Sequence, residues 1–129
     1  MKTILPEGWP RPKGYANGIV AEGRTLFIAG QIGWNEKEQF ESDDFVAQVE
    51  QALKNIVAVL NAAGGKPEHI ARLTWYVTDK KEYLARLADV GGAYRRTLGA
   101  VFPTMSLVQV VALVEDRAKV EIEATAVLP

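Results

Sequence analysis

The chain has 129 residues, 15 of them Lys or Arg and 16 Asp or Glu, so its formal net charge is −1. This length predicts one domain, residues 1–129, and the near-neutral charge predicts no attraction to nucleic acid, which needs clustered basic residues. The absence of cysteine excludes disulfides, thiolate nucleophiles and iron–sulfur clusters, and the single histidine, His69, excludes a multi-histidine zinc site. With no signal-peptide pattern and no membrane-length apolar run, we expect a cytoplasmic protein without a cofactor or a membrane partner.

The N-terminal region predicts an irregular segment followed by a hairpin. The first 14 residues contain three of the six prolines, which favours irregular structure. Residues 18–22 and 25–32 are β-rich and meet at a short Gly23-Arg24 turn, so we predict that these two segments pair with each other. A polar loop that carries Trp34 follows, up to residue 41.

The next segment predicts a long amphipathic helix. Ser42, Asp43 and Asp44 supply a capping hydroxyl and two acids suited to a helix start. Gly64, Gly65 and then Pro67 end the pattern. Between them, apolar residues recur at steps of three and four, which predicts one buried stripe: Val46, Val49, Leu53, Ile56, Val57 and Leu60.

A strand and a second helix follow. Residues 72–78 are aromatic and β-branched, which predicts a strand. Asp79 and Glu82 have the spacing of a capping box, and Gly99 closes the predicted helix. Gly91 lies on the apolar face, which we interpret as close approach between this helix and the sheet; the other members of the face are Leu84, Leu87, Tyr94 and Leu98.

The C-terminal third predicts two more strands. Residues 106–113 and 119–128 are separated by a charged turn, and the second strand alternates apolar and polar residues. The predicted order is therefore β-β-α-β-α-β-β. This order is typical of an α+β fold in which two helices cover one face of a mixed sheet.

That layering leaves the second face of the sheet uncovered. The last strands supply apolar residues at both parities, so this face is expected to be too apolar for water: Val108, Val110, Val111, Leu113 and Val127. Burial against other copies of the chain would resolve the problem. We therefore predict a closed homo-oligomer, with small-molecule sites in the clefts between its subunits.

Four segments combine polar or aromatic groups with strand ends or loops, at residues 13–17, 29–34, 102–106 and 120–124. Together with neighbouring segments they form a recognisable series. GYANGIV, LFIAGQIGW, QALKNIVAVLNAAGG, LTWYVTD, FPTMSLVQV and VEIEATAV, in that order over residues 14–128, resemble the Rid (YjgF-type, reactive-intermediate deaminase) family. The resemblance implies a chorismate-mutase-like α+β fold, a homotrimer with three inter-subunit clefts, and cofactor-free hydrolysis of imines and enamines to 2-keto acids and ammonia.

The resemblance also assigns site residues. Tyr15 matches the family's pocket tyrosine, Gly30 matches the glycine whose backbone shapes the cleft, and Glu121 matches the acid that orients the hydrolytic water. The arginine that binds the substrate carboxylate is replaced by Met105, and Leu107 stands where a small residue or cysteine is frequent. A thioether supplies neither charge nor donors, so this site lacks the family's carboxylate anchor.

Other residues have competing interpretations. Glu123 lies on the same strand face as Glu121, and both also fit a solvated edge or a salt bridge between subunits. Arg95, Arg96 and Arg117 are candidates for the missing cation, although their spacing does not place them in the cleft.

Three functions follow from these observations. The first is a hydrolytic deaminase of imine or enamine metabolites with a non-standard pocket. The alternative is a non-catalytic homotrimer that binds a small molecule in the same clefts. An endoribonuclease is the least favoured, because the charge is balanced and no basic aromatic stripe is present.

Overall fold

The computed structural model describes residues 1–129 and confirms the predicted α+β class. Its main sheet has four strands in the order β3-β6-β4-β5; β6 is antiparallel to β3 and β4, and β5 is parallel to β4. The elements in chain order are β1 (Lys2–Ile4), β2 (Gly18–Val20), β3 (Arg24–Ile32), α1 (Phe45–Ala62), β4 (Ile70–Val77), α2 (Lys80–Ala85), α3 (Leu87–Thr97), β5 (Thr104–Gln109) and β6 (Val120–Leu128).

The predicted hairpin is wrong. β2 pairs instead with β1, in a separate two-stranded sheet, and β3 pairs with β6 at the far end of the sequence. Gly23 marks the change of sheet: its φ is 144°, and a Cβ there would lie 2.0 Å from the carbonyl oxygen of Leu128. A turn signal shows where the chain reverses, but it does not decide which strands become hydrogen-bonded partners. The segment predicted to be irregular therefore contains β1.

The first helix is confirmed. Asp44 caps it by accepting a hydrogen bond from the backbone N–H of Ala47 at 3.0 Å. Gly64, with a φ of 79°, allows the chain to leave the helix after Ala62. The predicted apolar stripe lies in one core cluster with the inward residues of β4 and β6, and its fully enclosed members are Val49, Leu53, Ile56 and Leu60.

The second predicted helix is two helices. Asp79 caps α2 as expected, but the backbone at Arg86 leaves the helical region, with φ −127° and ψ 32°, and α3 starts at Leu87. The Arg86 guanidinium bonds to Asp44 at 2.6 Å and to Asp89 at 3.3 Å. Two hydrogen bonds lower the pKa of Asp44 below its usual value. The bond from the Ala47 N–H has the larger effect, and the bond from the Arg86 guanidinium has the next largest. One arginine thus links the break to the start of α1.

The uncovered face of the sheet is less apolar than predicted. β5 ends at Gln109, so Val110, Val111 and Leu113 lie outside the sheet, and Val111 is fully exposed. The face still carries Phe27, which is 79% exposed. Its other positions are mostly polar, because the outward residues of β4 and β6 are Arg72, Thr74, Tyr76, Glu121, Glu123, Thr125 and Val127.

None of the helices is both long and apolar enough to span a membrane.

One buried polar side chain, that of Gln48, joins the loop before α1 to the loop before β6. Gln48 of α1 is 1% exposed, and its Nε2 donates to the carbonyl oxygens of Ser42 (3.2 Å) and Arg117 (3.0 Å). Its Oε1 accepts from the backbone N–H of Lys119 at 2.8 Å. These bonds satisfy backbone groups that no strand or helix pairs, so Gln48 fixes where β6 begins.

We expect Gln48→Ala to lower the free energy of unfolding by about 2–4 kcal/mol, because it leaves buried backbone groups unpaired and opens a small cavity. Gln51→Ala is the matched control, since Gln51 lies in the same helix and bonds only to Asn55; its cost should stay below about 1 kcal/mol. Urea denaturation at equal protein concentration measures both. Equal losses would contradict this role of Gln48.

Candidate functional site

A cavity of about 570 Å³ lies between α3 and the strand pair β4-β5. Three of the predicted site residues line it: Tyr15, Met105 and Leu107. Ten of its 14 lining residues are hydrophobic. Lys13, Gly14 and Phe102, from the candidate segments 13–17 and 102–106, also line it, as does Arg95, one of the candidate cations. The lining residues that the sequence did not single out for the site are Trp75, Tyr83, Leu87, Val90, Gly91, Tyr94 and Ala100.

Strand register brings the three predicted residues together. In the parallel β4-β5 pair, Leu107 lies opposite Trp75, and Met105 lies two residues before it, so both side chains face the helices. Tyr15 arrives from a distant part of the chain. The N–H of Ala16 donates to the carbonyl oxygen of Pro103 at 3.0 Å, which docks the segment beside the start of β5.

Two aromatic rings form one wall. Trp75 and Tyr94 are stacked, with ring centroids 6.5 Å apart and planes 19° from parallel. The Tyr94 hydroxyl donates to the carbonyl oxygen of Val101 at 2.5 Å. Burial raises the pKa of Tyr94 and that of Tyr83 above their usual values, so both hydroxyls keep their protons at neutral pH. No Asp, Glu or His lines the cavity, so its own walls supply no base.

Gly91 was predicted to allow close approach between its helix and the sheet, but the structure shows a different role. A Cβ at this position would meet no atom within 4 Å, so close packing of helix and sheet does not require glycine here. Gly91 instead lines the cavity, and the missing side chain leaves that space open. The interpretation of close approach was therefore wrong.

The other two predicted residues, Gly30 and Glu121, lie together on the opposite face of the sheet. Glu121 is opposite Tyr76, the neighbour of Trp75 in β4, and successive residues of a strand point to opposite faces. A Cβ on Gly30 would lie 2.6 Å from Oε2 of Glu121, so this carboxylate rests against the bare backbone of β3. The half-buried Glu121 side chain forms no hydrogen bond or ion pair within the chain.

Glu123, two residues further along β6, is already bound. Its Oε1 accepts a hydrogen bond from the Tyr76 hydroxyl at 2.8 Å, and this bond raises the pKa of Tyr76. Of the two carboxylates on this face, Glu121 therefore keeps its oxygens available for a water molecule.

One copy of the chain thus holds two half-sites. The cavity half-site contains Tyr15, Met105 and Leu107, and the carboxylate half-site contains Gly30 and Glu121. The sheet separates them, so a single copy does not assemble the predicted site as a whole. No three His, Cys, Asp or Glu side chains are grouped as a metal site would need.

The structure distinguishes the three arginines that were candidates for the missing cation. Arg95 lines the cavity. Arg96 pairs with Glu50 at 2.6 Å, and Arg117 pairs with Asp43 at 2.9 Å, so both are used elsewhere. Arg95 follows Gly91 by four residues and hence shares its helix face, but the sequence does not show that Arg96 and Arg117 are held in ion pairs.

Comparison with known proteins identifies the family. A family model described as endoribonuclease L-PSP matches residues 10–128. The 2-iminobutanoate/2-iminopropanoate deaminase of Escherichia coli K12 is 36% identical over 130 residues, covering 98% of this chain and 97% of the relative. The chain therefore belongs to the Rid (endoribonuclease L-PSP) family, as its motifs predicted.

Solved structures of similar proteins agree with this assignment. A Yersinia pestis protein of the Rid family, of unknown function, superposes with a TM-score of 0.85 at 34% identity over 98% of both chains. The E. coli TdcF protein, solved with bound serine, gives a TM-score of 0.70 at 32% identity over the full length of both.

Two glycines near the carboxylate half-site should respond differently to an added methyl group. At Gly30 the three atoms nearest to the Cβ would all belong to the movable Glu121 side chain, whereas at Gly33 it would lie 2.5 Å from Cβ and 2.7 Å from Cα of Gln48. We expect Gly30→Ala to cost less than about 1 kcal/mol of unfolding free energy and Gly33→Ala about 2–4 kcal/mol, because a helix backbone cannot move aside cheaply. Urea denaturation compares them, and the reverse order would contradict the described packing.

Proposed function

We propose that this protein is a hydrolytic deaminase of imine or enamine metabolites. The observation that carries the proposal is the unpaired carboxylate of Glu121 held against the backbone of Gly30. The family relationship and the deaminase name of the E. coli relative support the same reaction class. An imine carbon is already electrophilic, so a positioned water and a proton carrier suffice.

We propose further that the chain acts as a homotrimer, in which the cavity of one copy faces the carboxylate half-site of the next. Two observations support an assembly. The half-sites lie on opposite faces of one sheet, so only a second copy can bring Glu121 to Met105. Large apolar side chains are exposed at both places: Phe27 and Val108 on the face of the sheet that the helices leave uncovered (the open face), and Tyr15 and Phe102 at the cavity.

The chemistry needs no electron transfer. The water oxygen bonds to the imine carbon while Glu121 accepts a proton and delivers it to the nitrogen, giving a carbinolamine. The hydroxyl then loses its proton through the same carboxylate to the nitrogen, and the C–N bond breaks. One water is consumed, and ammonia leaves with the 2-oxo acid.

The alternative, a non-catalytic small-molecule binder, is favoured by one observation. Met105 lines the cavity where the family pattern has the carboxylate-binding arginine. A binder would keep the cavity and its ligand but lose nothing when Glu121 is neutralised. An endoribonuclease gains no support from the cavity, whose lining contains no histidine or carboxylate.

Neutralising Glu121 tests the deaminase. Imines generated in situ from alanine and from larger apolar amino acids should disappear faster with the protein than in buffer. Glu121→Gln should lower kcat/KM by about 100-fold or more, the usual size of a lost acid–base group. Glu123→Gln, on the same strand face, is the matched control and should change it by less than about threefold, because Glu123 contacts Tyr76.

Two outcomes would overturn the proposal: no acceleration over buffer with any imine, or equal losses in the two variants. Ligand binding without any acceleration would favour the alternative.

The assembly has its own test. Sedimentation should give a particle of three 14.2 kDa chains at micromolar concentration. Phe27→Lys should dissociate it, because the interface would lose an apolar ring and would have to bury a charged ammonium group. Leu84→Lys, at a 57% exposed leucine of α2, is the control and should leave the mass unchanged. A stable single-chain particle for the unaltered protein would contradict the trimer.

A further inference from the structure

We propose that the cavity binds 2-imino acids with a large apolar or aromatic side chain, and that Arg95 pairs with their carboxylate in place of the absent arginine. The hydrolytic part of this statement rests on the proposed function. The binding part does not, because the 2-oxo acid products carry the same carboxylate and the same side chain.

Arg95 is the side chain suited to an organic anion. It lines the cavity and takes part in no ion pair of the chain, whereas its neighbour Arg96 is held by Glu50 at 2.6 Å. Lys13 lines the same cavity and is equally unpaired. No acid of the same chain lines the cavity, so the charged groups that this chain contributes to it are all positive. A guanidinium binds a carboxylate through two parallel hydrogen bonds, which a lysine cannot do.

Arg95 and Met105 belong to different walls of the cavity, so the proposed carboxylate anchor does not come from the strand that carries Met105. Met105 contributes to the sheet wall of the cavity, and Arg95 contributes to the helix wall across from it. Arg95 lies in α3, the helix that starts after the break at Arg86, and it lines the cavity. The cation is therefore supplied by α3 rather than by β5.

The walls define the body of the ligand. A cavity of about 570 Å³ lies in the ordinary range for drug-sized molecules, so a small imino acid would leave most of it empty. Gly91 adds open space on the wall that also carries Arg95. The stacked pair Trp75 and Tyr94 presents flat apolar surface, which suits an aromatic ring or a branched chain.

Calorimetric titration of the full-length protein with stable 2-oxo acids tests the binding. Phenylpyruvate should bind about tenfold or more tightly than pyruvate, because only its ring fills the apolar space. Arg95→Gln should weaken phenylpyruvate by about tenfold or more and leave the neutral analogue phenylacetone unchanged. Arg96→Gln removes the same charge from the same turn of α3 and is the matched control, with an expected change of less than about threefold.

A second variant tests the size of the site. Gly91→Leu fills the open space without straining the helix, since nothing lies within 4 Å of the added Cβ. It should weaken phenylpyruvate and spare pyruvate. Equal affinity for the two acids would overturn the apolar side-chain preference. Equal loss in Arg95→Gln and Arg96→Gln would overturn the role of Arg95 as anchor.

The outcomes also separate this inference from the proposed deaminase. Tight, Arg95-dependent binding of phenylpyruvate with no imine hydrolysis supports the ligand class and rejects the catalysis. Imine hydrolysis that is unchanged in Arg95→Gln supports the catalysis and rejects the anchor.

Discussion

The side chains of the central strand β6 alternate between two environments, and the rest of the structure depends on this alternation. β6 is hydrogen-bonded on both sides, to β3 and to β4. Its even-numbered residues from Val120 to Leu128 are buried in the core, while its odd-numbered residues face away from the helices. The core strands and the outward carboxylates thus share one backbone, so the position of Glu121 is as firmly determined as that of Ile122.

The same alternation in β4 separates the two half-sites. Trp75 points into the cavity wall and the adjacent Tyr76 points to the open face, where it holds Glu123. Two neighbouring residues of β4 therefore lie on opposite faces of the sheet and contact different groups. The hydrogen bond to Glu123 also distinguishes two carboxylates that are equivalent by spacing alone, since it occupies one and leaves Glu121 free.

Local patterns in the sequence were sufficient for most of the elements but not for their pairing. The 3.6-residue period of α1 and the alternation of β6 are properties of single segments, and both predictions are confirmed. The residues that pair with β3 lie between 89 (Ile32 to Glu121) and 104 (Arg24 to Leu128) positions further along the chain, and no turn signal can report them. The Arg86 guanidinium pairs with Asp44, 42 residues earlier in the chain, and the local pattern around Arg86 predicted one continuous helix.

The site was predictable to a similar extent. Tyr15, Met105 and Leu107 line one cavity because β5 turns Met105 and Leu107 towards the helices and the Ala16–Pro103 hydrogen bond docks Tyr15 beside them. Arg95 was one of three arginines that the sequence could not distinguish. Distinguishing them required the ion pairs that hold Arg96 and Arg117, and these join residues far apart in the chain. The face of the sheet that the helices leave uncovered is less apolar than expected, because β5 stops before Val110 and Val111, but it still exposes Phe27 and Val108.

The strand order has a consequence for folding during synthesis. β3 and β4 are neighbours only through β6, which is the last of the sheet's strands to leave the ribosome. Until residues 120–128 emerge, the inner edges of β3 and β4 have no native partner and α1 has only part of its sheet to cover. Such long-range pairing slows folding and prolongs the exposure of unpaired strand edges. The nascent chain is thus most prone to aggregation just before β6 inserts between them.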